Sequence, residues 1–271
     1  MSYRLFPIIV ALALTSSPGV AQTPDTVWLE GLTWTELRDR IQSGTTTAMI
    51  PIGGVEQSGP DIALGKHDAR AKVLAERIAR ELGHTLVAPV VAYVPEGGIE
   101  PPTSHMRFPG TLTVPSSVFR ATIESIGASL KLHGFKTVVL IGEHGSYQGD
   151  LAFVAADLNR KWAATSARAY FVPEYYRAAT VGFKSVLRSH GFSDAEIGTH
   201  AGVADTSLTM SLAPDDVRQE GLKSGVDLDA AHGVYGEPRR SNAEVGKLGA
   251  DDIVQKTVAA IRADLSRGAR P

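Results

Sequence analysis

Three glycine-bounded segments gather histidine and carboxylate side chains: Glu56 to Asp68, Glu143-His144-Gly145, and Thr199 to Ser207. The first carries Glu56, Ser58, Asp61, His67 and Asp68 just beyond Gly53-Gly54, and the third carries His200 and Asp205. Imidazole nitrogens and carboxylate oxygens are the donors that zinc, manganese and related cations take where thiolates are missing. The chain has no cysteine, which excludes disulfides, thiolate metal sites and a cysteine nucleophile together. Any one of these histidines reads as a hydrogen-bonded loop residue; three at the ends of predicted strands point to a metal centre. Serine hydrolysis competes poorly, because Gly145-Ser146 and Ser58-Gly59 are only fragments of a G-x-S-x-G elbow. No P-loop or G-x-G-x-x-G follows a predicted strand. His84, His133, His190 and His232 lack acidic neighbours and are read as surface residues.

The surrounding pattern supplies elements to position these groups. Thr45 to Ile52, Thr85 to Val94, Lys136 to Ile141 and Ala167 to Val172 read as strands, the second broken at Pro89. Helices are expected after the Thr33–Glu36 capping box to about Gln42, and over Ala69 to Leu82, Ser116 to Leu132, Asp150 to Trp162, Tyr175 to His190 and Asp251 to Ser266. A further helix is expected to begin within Thr199 to Leu212. Strands alternating with helices imply an α/β fold with a mostly parallel sheet covered on both faces. In such a sheet the loops at the C-terminal ends of neighbouring strands converge, so the three segments can meet. Pro95 to Val114 is a loop long enough to be functional.

At 271 residues the chain suits one α/β domain, here residues 22–271. Its formal charge of −2, with acids and bases mixed along the sequence, suggests neither a nucleic-acid nor a membrane-surface partner. Arg4, the short apolar run Leu5 to Leu14 and the small-residue exit Gly19-Val20-Ala21 read as a signal peptide over 1–21. The mature protein is therefore expected to be exported, periplasmic or secreted, without a membrane partner once the leader is removed.

The segments together resemble the creatininase family. IPIGGVEQSGPDIALGKHD is similar to its opening motif, FPGTLTV to its F-P-G-T segment with His105 just before it, GEHGSYQ to its N-G-H loop, and HAGVADTSLTM to its H-A-G/E-T-S helix start. The resemblance runs in order from Ile50 to Met210. It implies a three-layer α/β/α fold, a divalent cation (zinc, or manganese), amidohydrolase activity on a small molecule, and a homo-oligomer, a hexamer built from dimers.

Residue by residue, the resemblance places the metal on Glu56, His67 and His144, with Asp68 replacing His67 if one residue is inserted in the loop. It makes His200 catalytic. Asp205, in place of the family's Glu, either orients His200 or adds a ligand. Ser58 and Ser146 stand where creatininase has a ligand His and Glu, an arrangement that leaves one ion, and with His105 and Tyr147 they are expected beside the substrate. The function expected is hydrolysis of a C–N bond in an amide, lactam or cyclic amide. An ester or lactone hydrolase at the same metal, and an inactive periplasmic binding or assembly protein, are the alternatives.

Overall fold

A computed structural model describes residues 24–268; the expected leader lies outside the described residues. Four strands, β1 (Thr47–Ile52), β2 (Thr85–Val87), β3 (Thr137–Gly142) and β4 (Arg168–Phe171), form a parallel sheet in the order β2-β1-β3-β4. The major helices are α1 (Trp34–Gln42), α2 (Lys66–Leu82), α3 (Ser116–Leu132), α4 (Gln148–Lys161), α5 (Val203–Leu212) and α6 (Ala243–Gly268).

The alternation of strand side chains creates two cores. Met49, Val87, Val139 and Ile141 pack with Leu74 and Ile78 of α2, Leu208 of α5, and Ile253 and Val258 of α6. Ala48, Ile50, Ile52, Leu86, Val138 and Leu140 point the other way, onto Phe119 and Ile123 of α3 and Leu151 and Leu158 of α4, with Leu37 and Ile41 of α1 against them. Helices on both faces of a parallel sheet give the three-layer α/β/α arrangement that the sequence implies. Both faces being buried explains the near-continuous apolar runs of β1 and β3.

Three elements differ most from the sequence reading, one being the closing helix α6, which begins at Ala243, eight residues before the expected Asp251. The strand expected over Thr85 to Val94 stops at Val87; past Pro89, which lacks an N–H for a ladder, only a single bridge, Val91 to Ile52, continues the pairing. Helix α2 starts three residues earlier than expected, so His67 sits in a helical first turn and not in a loop. The capping box at Thr33 and Glu36 is present as read. A π-helical turn, Ala178–Gly182, joins Pro173–Arg177 to Phe183–Ser189 within the helical stretch expected after Tyr175.

β1 and β3 are neighbours in register, with Ile52 opposite Gly142. Their C-terminal loops therefore begin side by side, one leading to Glu56 and the other to Glu143-His144. The sheet thus explains the first convergence without reference to any ligand.

Candidate active site

Glu56, fully buried, is the hub. Its Oε1 lies 3.3 Å from His67 Nε2, 3.3 Å from His200 Nδ1 and 3.5 Å from Lys66 Nζ. Its Oε2 lies 3.0 Å from His144 Nε2 and 4.0 Å from His105 Nε2. Burial alone would raise the Glu56 carboxyl, but the Lys66 charge and contacts with His144 and His67 hold it well below the usual range.

Two sets of donor atoms gather tightly enough around Glu56 to take a cation: Glu56 with His67 and His144, and Glu56 with His105 and His200. The hydrogen bonds on the far ring nitrogens separate them. His67 Nδ1 lies 3.4 Å from Glu143 Oε2, and His144 Nδ1 lies 2.8 Å from Ser146 Oγ and 3.4 Å from Glu96 Oε2. Ser146 meets His144 Nδ1 twice, with Oγ at 2.8 Å and its N–H donating at 3.4 Å, while the Ser146 hydroxyl donates to Pro95 O. Both rings thus aim Nε2 at Glu56 and are held at Nδ1 by another protein group, the placement of a metal-binding histidine oriented from behind.

Gln57 sets the other pair. Its Oε1 accepts from Gly59 N at 3.0 Å, so its amide nitrogen is the group 3.0 Å from His105 Nδ1. An amide N–H there makes His105 Nδ1 an acceptor and leaves the ring hydrogen on Nε2, facing Glu56. His200 Nε2 donates to Gln57 O at 2.9 Å, which leaves a lone pair on Nδ1. One member of this second set therefore presents hydrogen, not a lone pair. Burial, with the Lys66 charge, lowers His200 to about 4; burial also lowers His105, so both rings stay neutral near neutral pH.

The first set fits a divalent ion. Glu56 Oε2 is buried without a hydrogen-bond partner, as expected of a group that faces a positive charge, and both Glu96 oxygens are also unpartnered. Burial and the neighbouring Glu56 push the Glu96 carboxyl up to about 10. Two neutral imidazoles and one carboxylate, with room for a fourth donor, form a recognised zinc-binding set.

A second ring of charge lies behind. Glu143 accepts from Tyr175 OH and pairs with Arg70 Nη2 at 2.7 Å. Arg70 Nη1 reaches Asp205 Oδ1 at 3.0 Å, and Lys66 Nζ lies 3.3 Å from Asp205 Oδ2. Burial would raise Glu143 and Asp205, yet Arg70 for the one, and Lys66 with Arg70 for the other, hold both low. A cavity of about 330 Å³ opens onto Glu56, His67, His144, His200 and Asp205, with Tyr176 and Thr180 on its wall. A second, of about 300 Å³, is lined by Gln57, His105, Tyr235 and, again, His144 and His200.

The structure brings together Glu56, His67, His144, His200 and His105 and corrects the placing of other residues. Asp68 accepts from Gly54 N at 2.9 Å and packs so closely on Gly53 that a Cβ there would fall 2.1 Å from its Oδ1; it holds the turn and is not among the donors gathered around Glu56. Asp205 makes no hydrogen bond to His200; it accepts from Ala201 N at 2.9 Å, supporting the left-handed backbone at Ala201, and pairs with Lys66 and Arg70. Tyr147 does not face a ligand: its buried hydroxyl donates to Gly53 O at 2.7 Å and accepts from His144 N, tying the two loops together. Ser146 buttresses His144. Ser58 lines a separate small cavity with Gly59, Asp61 and Ala201. Gln57, Lys66, Arg70, Glu96, Glu143 and Tyr176 are the residues that sequence reasoning did not assign. For Glu143, its place beside His144 at a strand end was the available signal.

Comparison with known proteins agrees with this geometry. The profile described as creatininase, creatinine amidohydrolase, matches residues 30–261. The chain belongs to the creatininase family. It is 27% identical to a creatinine amidohydrolase of Pseudomonas putida over 70% of this chain and 73% of that one. It is 25% identical to a 3-dehydro-scyllo-inosose hydrolase of Thermotoga maritima over 73% of this chain, spanning 60% of that relative. A manganese creatininase structure superposes with a TM-score of 0.73 at 23% identity, covering 88% of this chain and 98% of the other, which shows the shared creatininase fold.

Proposed function

We propose that this creatininase-family member is a metal-dependent hydrolase that cleaves a C–N bond of a small amide, lactam or cyclic amide, with one divalent ion held by Glu56, His67 and His144. The observation that carries the reading is the pair of rings, His67 and His144, each with Nε2 at the Glu56 carboxylate and with Nδ1 held from behind, by Glu143 for His67 and by Ser146 for His144. The donor set suits zinc, and manganese is the metal of the superposed creatininase. When bound, such an ion supplies Lewis acidity: it acidifies water and polarises a carbonyl.

The protein's own groups supply the rest. His200 Nδ1, neutral and turned toward the hub, takes a proton from the attacking water and returns it to the leaving nitrogen as the C–O bond forms and the C–N bond breaks. His105, locked by Gln57 with hydrogen on Nε2, donates to the carbonyl oxygen as that atom gains charge. A cavity of about 330 Å³ suits a small ligand. Retention of hub, both backed histidines and His200 in one cluster supports catalysis over an inert binding protein on the same fold.

The test is a panel of amides, lactams, esters and lactones assayed after chelation and after addition of zinc or manganese. Metal-restored turnover of amides or lactams is expected. Turnover confined to esters or lactones would move the chemistry to C–O bonds, and metal-independent turnover would overturn the reading. Export is supported by the Leu5 to Leu14 run and Gly19-Val20-Ala21, and intact mass from the native host would read it. A hexamer is supported by family membership and is read by sedimentation.

A further inference from the structure

Lys66 is completely buried, yet its ammonium has no directed hydrogen bond. It stands between two carboxylates, 3.5 Å from Glu56 Oε1 and 3.3 Å from Asp205 Oδ2. A lysine head taken wholly out of water is costly unless its charge is answered, so an apolar residue would serve packing better here. The side chain is held by charge alone, and one of its partners is the hub of the centre.

We propose that the Lys66 ammonium is a built-in cation that fills the Glu56–Asp205 side of the centre, so that the site accepts one divalent ion, and that removing the ammonium opens a second cation site. The inference rests on the reading of Glu56, His67 and His144 as the metal-holding set. The first turns of α2 deliver all the parts: Lys66 to the Glu56–Asp205 gap, His67 to the same Glu56 oxygen, Oε1, and Arg70, one turn on, to Asp205 Oδ1 and Glu143 Oε2. A divalent ion entering the gap would meet a fixed like charge at contact distance. The other donor set around Glu56 gives a second ion no refuge, because His105 turns an N–H toward it. Without Lys66, Glu56 Oε1 and Asp205 Oδ2 face the same gap, two carboxylate oxygens whose charge a divalent ion such as zinc or manganese could answer in place of the ammonium.

Stoichiometry tests this independently of turnover. Chelator-treated full-length protein is titrated with zinc chloride or manganese chloride by calorimetry, and the loaded, dialysed protein is analysed for metal. Wild type is expected to saturate at one ion per chain and Lys66→Ala at two, with methylammonium competing for the second. Should Lys66→Ala not fold, Lys66→Thr carries the same expectation. Two ions in the wild type, or one in both proteins, would overturn the inference while leaving the metal centre standing. No ion in the wild type would instead overturn the metal-centre reading itself.

Discussion

Glu96 Oε2 lies 3.4 Å from His144 Nδ1, the ring nitrogen opposite the one that faces Glu56. The two carboxylates thus bracket one imidazole, and the Glu96 side chain is wholly buried. Burial and Glu56 keep the Glu96 carboxyl protonated up to about 10; the charge of a bound divalent ion would favour its carboxylate, which orients the ring and raises its basicity as a ligand. Replacing Glu96 by Ala is expected to weaken zinc affinity by about 10–100-fold, read by competition against a chelator of known affinity. Unchanged affinity would show that Ser146 alone holds the ring.

His200 is assigned to proton transfer and not to ion binding, because its Nε2 is committed to Gln57 O and its Nδ1 faces the reaction space. His200→Ala should keep the fold and one ion per chain, and lose roughly 10²–10⁴ in kcat, the usual contribution of a general acid–base group. A variant that lost its ion would make His200 a ligand.

The folded state relies on Arg70, whose guanidinium stands between Glu143 and Asp205 in the interior. Arg70→Met strands both acids, and breaking a buried pair by removing one partner typically costs about 3–5 kcal/mol. Urea denaturation measures that loss; a cost within error of zero would show the acids to be answered by Lys66 and Tyr175.

The same acids set a pH dependence. Glu143 and Asp205 titrate lower in the folded protein than in the unfolded chain, so the unfolded state binds more protons as pH falls. Their stabilisation is present above the ordinary carboxylate range and is lost as pH drops from about 4 toward their depressed values. Denaturation midpoints should therefore fall steeply below pH 4 in the wild type and less steeply in Asp205→Asn. A flat wild-type profile down to pH 2 would contradict this.

The sequence made much of this legible where chemistry and periodicity coincide. Glu56, His67, His144 and His200 sit at glycine-marked ends of elements, and the apolar runs of β1 and β3 gave away the two adjacent buried strands. What stayed hidden depends on partners far along the chain. Glu96 reads as one acid in a long loop until that loop brings it to His144, 48 residues on. Lys66, just before the helix as read, and Arg70, in its first turn, look like ordinary surface charges until Asp205 meets them. Tyr147 and Tyr176 are both aromatic and near the right motifs; burial of the first and the pocket position of the second follow from helix direction, which residue type does not encode.

Anomalous diffraction from crystals of the zinc-loaded protein tests the central claim most directly. One peak per chain is predicted, within bonding distance of a Glu56 oxygen, His67 Nε2 and His144 Nε2. A peak coordinated by Asp68, or by His105 and His200, or no ordered peak at all, would contradict the account.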